Sequence, residues 1–145
     1  DARLSNAALA EKEGLTTSTV HERVKKLEKK GIIKGYVAVV DAEALGKPIM
    51  AFIHLTVGST STDYLESKNS VVSICQDEPD VLECHTVAGE DCYILKVRAP
   101  SPGDLEKLIE RIRCNAQVSR TTTSIVLSTL KETTQVMPDV RLKEG

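Results

Sequence analysis

Two short stretches near the start of the chain carry apolar positions at a helical period. In the first, from about Asn6 to Glu13, Ala8, Leu9 and the stem of Lys12 share one side. Ser5 stands where a side-chain oxygen can cap the free amides, and Gly14 where a left-handed residue ends the helix. The second opens on the hydroxyl cluster Thr16-Thr17-Ser18-Thr19, repeats Val20, Val24 and Leu27 at i, i+4 and i+7, and stops at Gly31. Two short helices joined by a glycine turn are the sequence form of a helix-turn-helix, and the second is polar and basic opposite its apolar stripe. Ile32 to Val40 then reads as a strand pair or wing that bends at Gly35.

Asp41 to Lys47, with Gly46 inside it and Pro48 after it, interrupts regular structure and reads as a linker. Beyond it Ile49–Val57 is a strand, Thr62–Gln76 a helix with Leu65 and Val72 inward, and Val81–Val87 and Cys92–Val97 two more strands. Ser101-Pro102 sets a capping hydroxyl before a proline at the first helical position, and Leu105, Leu108, Ile109 and Ile112 trace one face of that helix. Thr121–Leu130 closes the pattern as a β-branched strand. The order β-α-β-β-α-β predicts a ferredoxin-like antiparallel sheet backed by two helices. The fold class is therefore α+β. Residues 1–40 form the helix-turn-helix domain, 41–47 the linker, 48–130 the βαββαβ domain and 131–145 a C-terminal tail. The sheet face that the helices leave bare is expected to be apolar and to be buried against a second copy.

Composition, 41% hydrophobic and 28% charged, is that of a globular chain. Aromatics at 3% give no platform for stacking single-stranded bases. Net charge is −2, but within Val20–Lys34 six cations, Arg23, Lys25, Lys26, Lys29, Lys30 and Lys34, face only Glu22 and Glu28, a local +4 suited to phosphate contact. Cys75, Cys84, Cys92 and Cys114 form no metal-binding spacing with one another or with the histidines, and read as buried, reduced thiols. No apolar run is long enough to span a membrane and no signal peptide opens the chain, so a cytoplasmic location is expected.

The stretches RLSNAALAEKEGLTTSTVHERVKKLEKKGIIKGYVAVVD, GEDCYILKV and RTTTSIVLSTLK resemble the Lrp/AsnC family, the feast/famine regulators of amino-acid metabolism, and the resemblance runs over nearly the whole chain. It implies a winged helix-turn-helix whose second helix binds double-stranded DNA, followed by a ferredoxin-like βαββαβ sensing domain. It also implies a homodimer or higher even-numbered assembly, such as a tetramer or octamer. A small effector, usually an amino acid, would lie between subunits near the loop after the second sheet strand, with no metal or other cofactor. The family has a further helix ahead of the position of Asp1, and without it Leu9, Leu15 and Val24 would be only partly covered. Glu13 stands where the family usually has an apolar residue, Cys92 where many members have an acid, and Ala116-Gln117 where Pro-Gly is common.

Thr17, Ser18, Thr19, His21, Arg23, Lys25, Lys26 and Lys34 are the candidate DNA contacts: hydroxyls and Arg reach base edges or phosphate, and Lys neutralises phosphate. The alternative is an ordinary solvated face, and lysines late in a helix also complement its dipole. Gly89, Glu90 and Asp91 can form an effector loop, glycine admitting backbone amides to a carboxylate while the acids take an ammonium, or can be simply a hairpin turn. His85 and Thr121, Thr122 and Thr123 complete the effector candidates. Alternation puts Thr122 on the face opposite the other two threonines, and His85 suits an interior position as well as a ligand's. No nucleophile–base pair, metal cluster or phosphate loop is legible, so a regulator rather than an enzyme is expected. A DNA-coating protein that senses nothing would show the same basic helix, and ligand-dependent DNA affinity separates the two.

Overall fold

Helix α1 (Asn6–Glu13) starts where Ser5 turns extended and its Oγ accepts the amide of Ala8 at 3.1 Å. It ends because Gly14 takes φ +65°, which lets the Gly14 and Leu15 amides fold back onto the carbonyls of Glu11 and Ala10. Helix α2 (Thr17–Lys29) repeats the device: Thr16 Oγ1 accepts the Thr19 amide at 3.2 Å, and past Lys30 the amides of Gly31 (φ +68°) and Ile32 close onto Glu28 and Leu27. The computed structural model describes residues 2–57, 61–115 and 118–138, and the chain divides into two units, Asp1–Val40 and Asp41–Gly145.

In the first unit Ala10 and Val20 are buried, while Leu9, Leu15, Val24 and Ile33 are half-buried. Ala10, rather than Ala8 or the stem of Lys12, is the buried position of α1. Leu4, Leu9, Val24, Ile33 and Tyr36 border an open groove of about 540 Å³. The expected wing strands do not form: Ile32 to Val40 has no strand, and Tyr36, Val37, Val39 and Val40 are exposed. Gly35 does not take a positive φ of the kind two-residue hairpin turns use, and the Tyr36 hydroxyl donates to Glu28 at 2.8 Å.

The second unit opens on a turn in which Asp41 Oδ1 accepts the amides of Glu43 and Ala44. There follow β1 (Ile49–Val57), α3 (Ser61–Asp77), β2 (Val81–Thr86), β3 (Tyr93–Ala99), α4 (Pro102–Asn115) and β4 (Val118–Ile125). The sheet order is β2-β3-β1-β4 with every pairing antiparallel, the ferredoxin-like arrangement. Ala51, Ile53, Leu55 and Val57 of β1 and Tyr93, Leu95, Val97 and Ala99 of β3 point to the helices, where Val71, Leu105, Leu108 and Ile112 meet them. Ser101 caps α4 as its position predicts, accepting the Asp104 amide and donating to its carboxylate at 2.6 Å, which holds that carboxyl below its ordinary range.

Several details depart from the sequence pattern. Val72 is 43% exposed and Val71 is the inward residue of α3, together with Ile74 and Cys75. The Leu65 side chain and Ala116-Gln117 lie outside the described residues. The Val87 amide still donates to the Cys92 carbonyl across from it, but the Cys92 amide turns away to the Leu55 carbonyl of β1, and β2 ends at Thr86; β4 stops at Ile125, the partner of Ala51 near the start of β1. Residues 127–138 therefore have no strand to pair with, and Leu127, Leu130, Val136 and Met137 are exposed. The bare sheet face is not apolar. Met50, Phe52 and Ile94 share it with His54, Thr56, Glu83, His85, Lys96, Arg120 and Thr122, as the registers place them. Of the cysteines, Cys114 is exposed and the other three are half-buried, free thiols.

Candidate functional site

The N-terminus of α2 is a cluster of hydroxyls. Thr16 Oγ1 caps the helix and also lies 3.1 Å from Ser18 Oγ and 2.8 Å from Thr19 Oγ1, so Thr19 is half-committed to the turn while Thr17 and Ser18 face solvent. Neither α1 nor α2 has an acid in its first turn, which leaves the positive end of the α2 dipole free to meet a phosphate. Arg23, Lys25, Lys26 and Lys34 are exposed and make no ion pair among the described residues, as a surface that neutralises phosphates requires. His21 is different: Asn6 Nδ2 donates to its Nδ1 at 3.2 Å, so it ties the start of α1 to α2.

The turn between β2 and β3 holds Gly89, whose φ of +153° suits a residue without Cβ, and whose missing Cβ would meet nothing within 4 Å. Glu90 is exposed and has no polar partner among the described residues. Asp91 is the opposite case. Its Oδ2 lies 3.1 Å from His54 Nδ1, and its Oδ1 accepts from Thr56 Oγ1 and from Arg120, both at 3.4 Å. One carboxylate thus gathers residues of β1 and β4 onto the bare sheet face. His54, Thr56 and Arg120 were not singled out from sequence, although His54 and Thr56 are polar beats two apart in an otherwise apolar strand.

The remaining candidates separate. Thr122 pairs with His54 on the bare face, whereas Thr121 and Thr123 pair with Leu55 and Ile53 on the helix-covered side. His85 is not interior: it is exposed on edge strand β2, 3.1 Å from Glu83, whose carboxyl is held below its ordinary range by His85 and Lys96. Three strand spacings separate β2 from β4, about 14 Å, so His85 and Thr122 of one chain cannot share a ligand the size of an amino acid. The other end of the bare face has a concavity of about 580 Å³, where Met50 and Phe52 meet Val126 and residues 128–133 and Lys96 bridges Glu83 and Glu132. Among the described residues no group of His, Cys, Asp and Glu could hold a metal ion, and no helix is long and apolar enough to cross a membrane.

Comparison with known proteins assigns both units. Residues 1–34 match the winged helix-turn-helix DNA-binding model and residues 50–136 the Lrp/AsnC ligand-binding domain. The chain belongs to the Lrp/AsnC family. It is a transcriptional regulator with a DNA-binding and a ligand-binding domain, and not an enzyme. It is 36% identical to the HTH-type transcriptional regulator LrpA of Mycobacterium tuberculosis, covering 95% of this chain and 88% of that one. The feast or famine regulatory protein of M. tuberculosis complexed with L-methionine superposes on this Lrp/AsnC regulator with a TM-score of 0.83 at 36% identity, covering 95% and 90% of the two chains. A transcriptional regulator of Neisseria meningitidis in complex with L-methionine does so with a TM-score of 0.86 at 25% identity, covering 97% and 89%.

Proposed function

We propose that this regulator binds double-stranded DNA in the cytoplasm through the first turn and outer face of α2, as a dimer or higher even-numbered assembly. An amino acid held at the Gly89-Glu90-Asp91 turn, where copies meet, changes that binding. Thr17 and Ser18 are the groove-facing residues, with Arg23, Lys25, Lys26 and Lys34 on phosphates.

The observation that carries the effector reading is the division of labour between the two acids. Asp91 already spends its oxygens on His54, Thr56 and Arg120 and so fixes the turn, which leaves Glu90 as the carboxylate able to take an ammonium. Gly89 keeps the neighbouring amides open to the effector's carboxylate. Two relatives solved with L-methionine support an amino acid as the ligand class. The mixed face of His54, Arg120, Met50 and Phe52 favours a second copy that answers charge as well as apolar surface, with Thr122 and His85 contributed from different chains.

The test is titration calorimetry with L-methionine and a panel of other amino acids, alongside light scattering and DNA anisotropy. Glu90→Gln should weaken the effector at least about tenfold, the cost of one charge-assisted hydrogen bond, and leave assembly intact. Asp91→Asn should weaken it less and disturb assembly more. Unchanged affinity in Glu90→Gln would remove the effector from this turn.

A further inference from the structure

Strand β4 is one of the two edges of the sheet, and among the described residues it pairs only with β1. One hydrogen bond decides which of its backbone groups are left over. The Val126 amide donates to the Met50 carbonyl, so in the alternating antiparallel ladder Ser124 and Thr122 share their bonds with β1, and Thr121, Thr123 and Ile125 turn N–H and C=O outward. The two edges of the sheet differ. Edge strand β2 shifts register between Val81 and Glu83 and carries Glu83 and His85, features that discourage pairing with another strand. From Thr121 to Ile125, β4 keeps its register and has neither a charge nor a proline. A groove of about 480 Å³ runs beside it, lined by Thr123 and Ile125 of β4 and by residues of α4 that include Glu106, Ile109 and Arg113.

We propose that the β4 edge and this groove form a second self-association surface, on which β4 of another copy of this chain pairs antiparallel about a two-fold axis at Thr123. The inference rests on the reading that the regulator assembles, and it adds a contact separate from the bare sheet face.

A two-fold contact needs a surface that answers itself. Along the backbone, an axis at Thr123 sets that residue against its own counterpart and Thr121 against the partner's Ile125, so the outward N–H groups meet outward carbonyls. Because the axis stands perpendicular to the sheet, both copies keep α4 on the same side, and the two α4 helices run antiparallel across it. Glu106 and Arg113 are exposed and stand at i and i+7 of α4, two turns apart on the side that lines the groove, with half-buried Ile109 between them. Neither charge makes an ion pair among the described residues. Antiparallel helices bring each Arg113 to the partner's Glu106, while Ile109 and the half-exposed Ile125 cover the centre. A parallel arrangement would set like charges together. Where the bare faces also pair, two different two-fold contacts build an even-numbered assembly larger than a dimer.

Full-length protein is measured by light scattering over a range of concentrations. Arg113→Glu sets acid against acid and should halve the limiting mass, and Glu106→Arg should do the same. The variant with both changes, in which opposite charges meet again, should restore the parent mass. Halving takes a tetramer to a dimer where the bare faces pair and a dimer to a monomer where they do not, so a failure of bare-face pairing is told apart from a failure of this contact. As a second readout, the two copies of position 123 stand about 5.5 Å apart across the axis, whereas those of position 121 stand about 14 Å apart. On oxidation with diamide and mapping by peptide mass, Thr123→Cys should therefore link to its own counterpart at least about tenfold more than Thr121→Cys. Masses unchanged by both single reversals, a double variant no larger than the single ones, or equal linking at the two positions would overturn the proposal. So would a parent that stays monomeric at every concentration.

Discussion

Replacing Gly14 in the turn of the helix-turn-helix separates backbone strain from crowding. Gly14 sits at φ +65°, its amide and that of Leu15 close α1, and a Cβ built there meets nothing within 4 Å. An alanine therefore meets no steric obstacle and loses only the penalty of a left-handed conformation, about 1–2 kcal/mol. Asparagine tolerates that region through its short polar side chain, so Gly14→Asn should cost about half as much or less. The assay is amide hydrogen exchange followed on peptides of α1 and α2, which reads local opening without assuming that the two units unfold together. Gly14→Ala should speed exchange about 5- to 30-fold and Gly14→Asn only a few-fold. DNA affinity, read by anisotropy, should fall only as far as the folded fraction of the unit falls. Equal acceleration by Ala and Asn would show that a side chain collides there after all, and no acceleration by either would show that the left-handed turn does not hold the two helices.

Lys25→Ala with Lys26→Ala should lower the slope of log affinity against log salt by about 1.8, two phosphate contacts' worth, so that the parent loses about twelvefold more affinity than the variant between 50 and 200 mM salt; an unchanged slope would take both lysines off the DNA. Arg111 donates to Glu78 through Nε at 2.5 Å and a terminal nitrogen at 2.9 Å, and this holds the Glu78 carboxyl below its ordinary range. Because the folded value is the lower one, the stabilisation is complete above the unfolded value of about 4.3 and is lost as pH falls through the native value. The pair is partly exposed and is worth no more than about 1 kcal/mol, so Arg111→Ala should flatten the acid limb of a stability-against-pH curve, and an identical limb would show that the pair contributes nothing.

What the sequence made legible was local. Ser5, Gly14, Thr16, Gly31 and Ser101 each act on amides or carbonyls a few residues away, and the helix ends follow from them. The βαββαβ order was readable because each strand and helix has its own period. Errors arose where a neighbour distant in sequence decides. Val71 and Val72 are adjacent and equally apolar, and only the position of α3 on the sheet makes one buried and the other exposed. Ile32 to Val40 is rich in β-branched residues like a strand, yet a strand needs a partner backbone, and this segment pairs with none among the described residues.

The same limit applies to the proposed effector turn. From sequence, Glu90 and Asp91 are two equivalent acids beside a glycine. Asp91 loses its freedom only because β1 lies between β3 and β4, which brings His54, Thr56 and Arg120 from 29 to 37 positions away onto its two oxygens. A carboxylate satisfied by such neighbours contributes order rather than affinity, since releasing it to a ligand would leave an arginine and a histidine unanswered. The same group adds to the polarity of the bare sheet face, so the residues that fix the turn would also set the chemistry to which the proposed second copy answers. On the proposed function, effector binding at Glu90 and pairing of the sheets would be coupled through one side chain, Asp91, and a ligand that shifted the turn would also shift the face on which copies are proposed to meet.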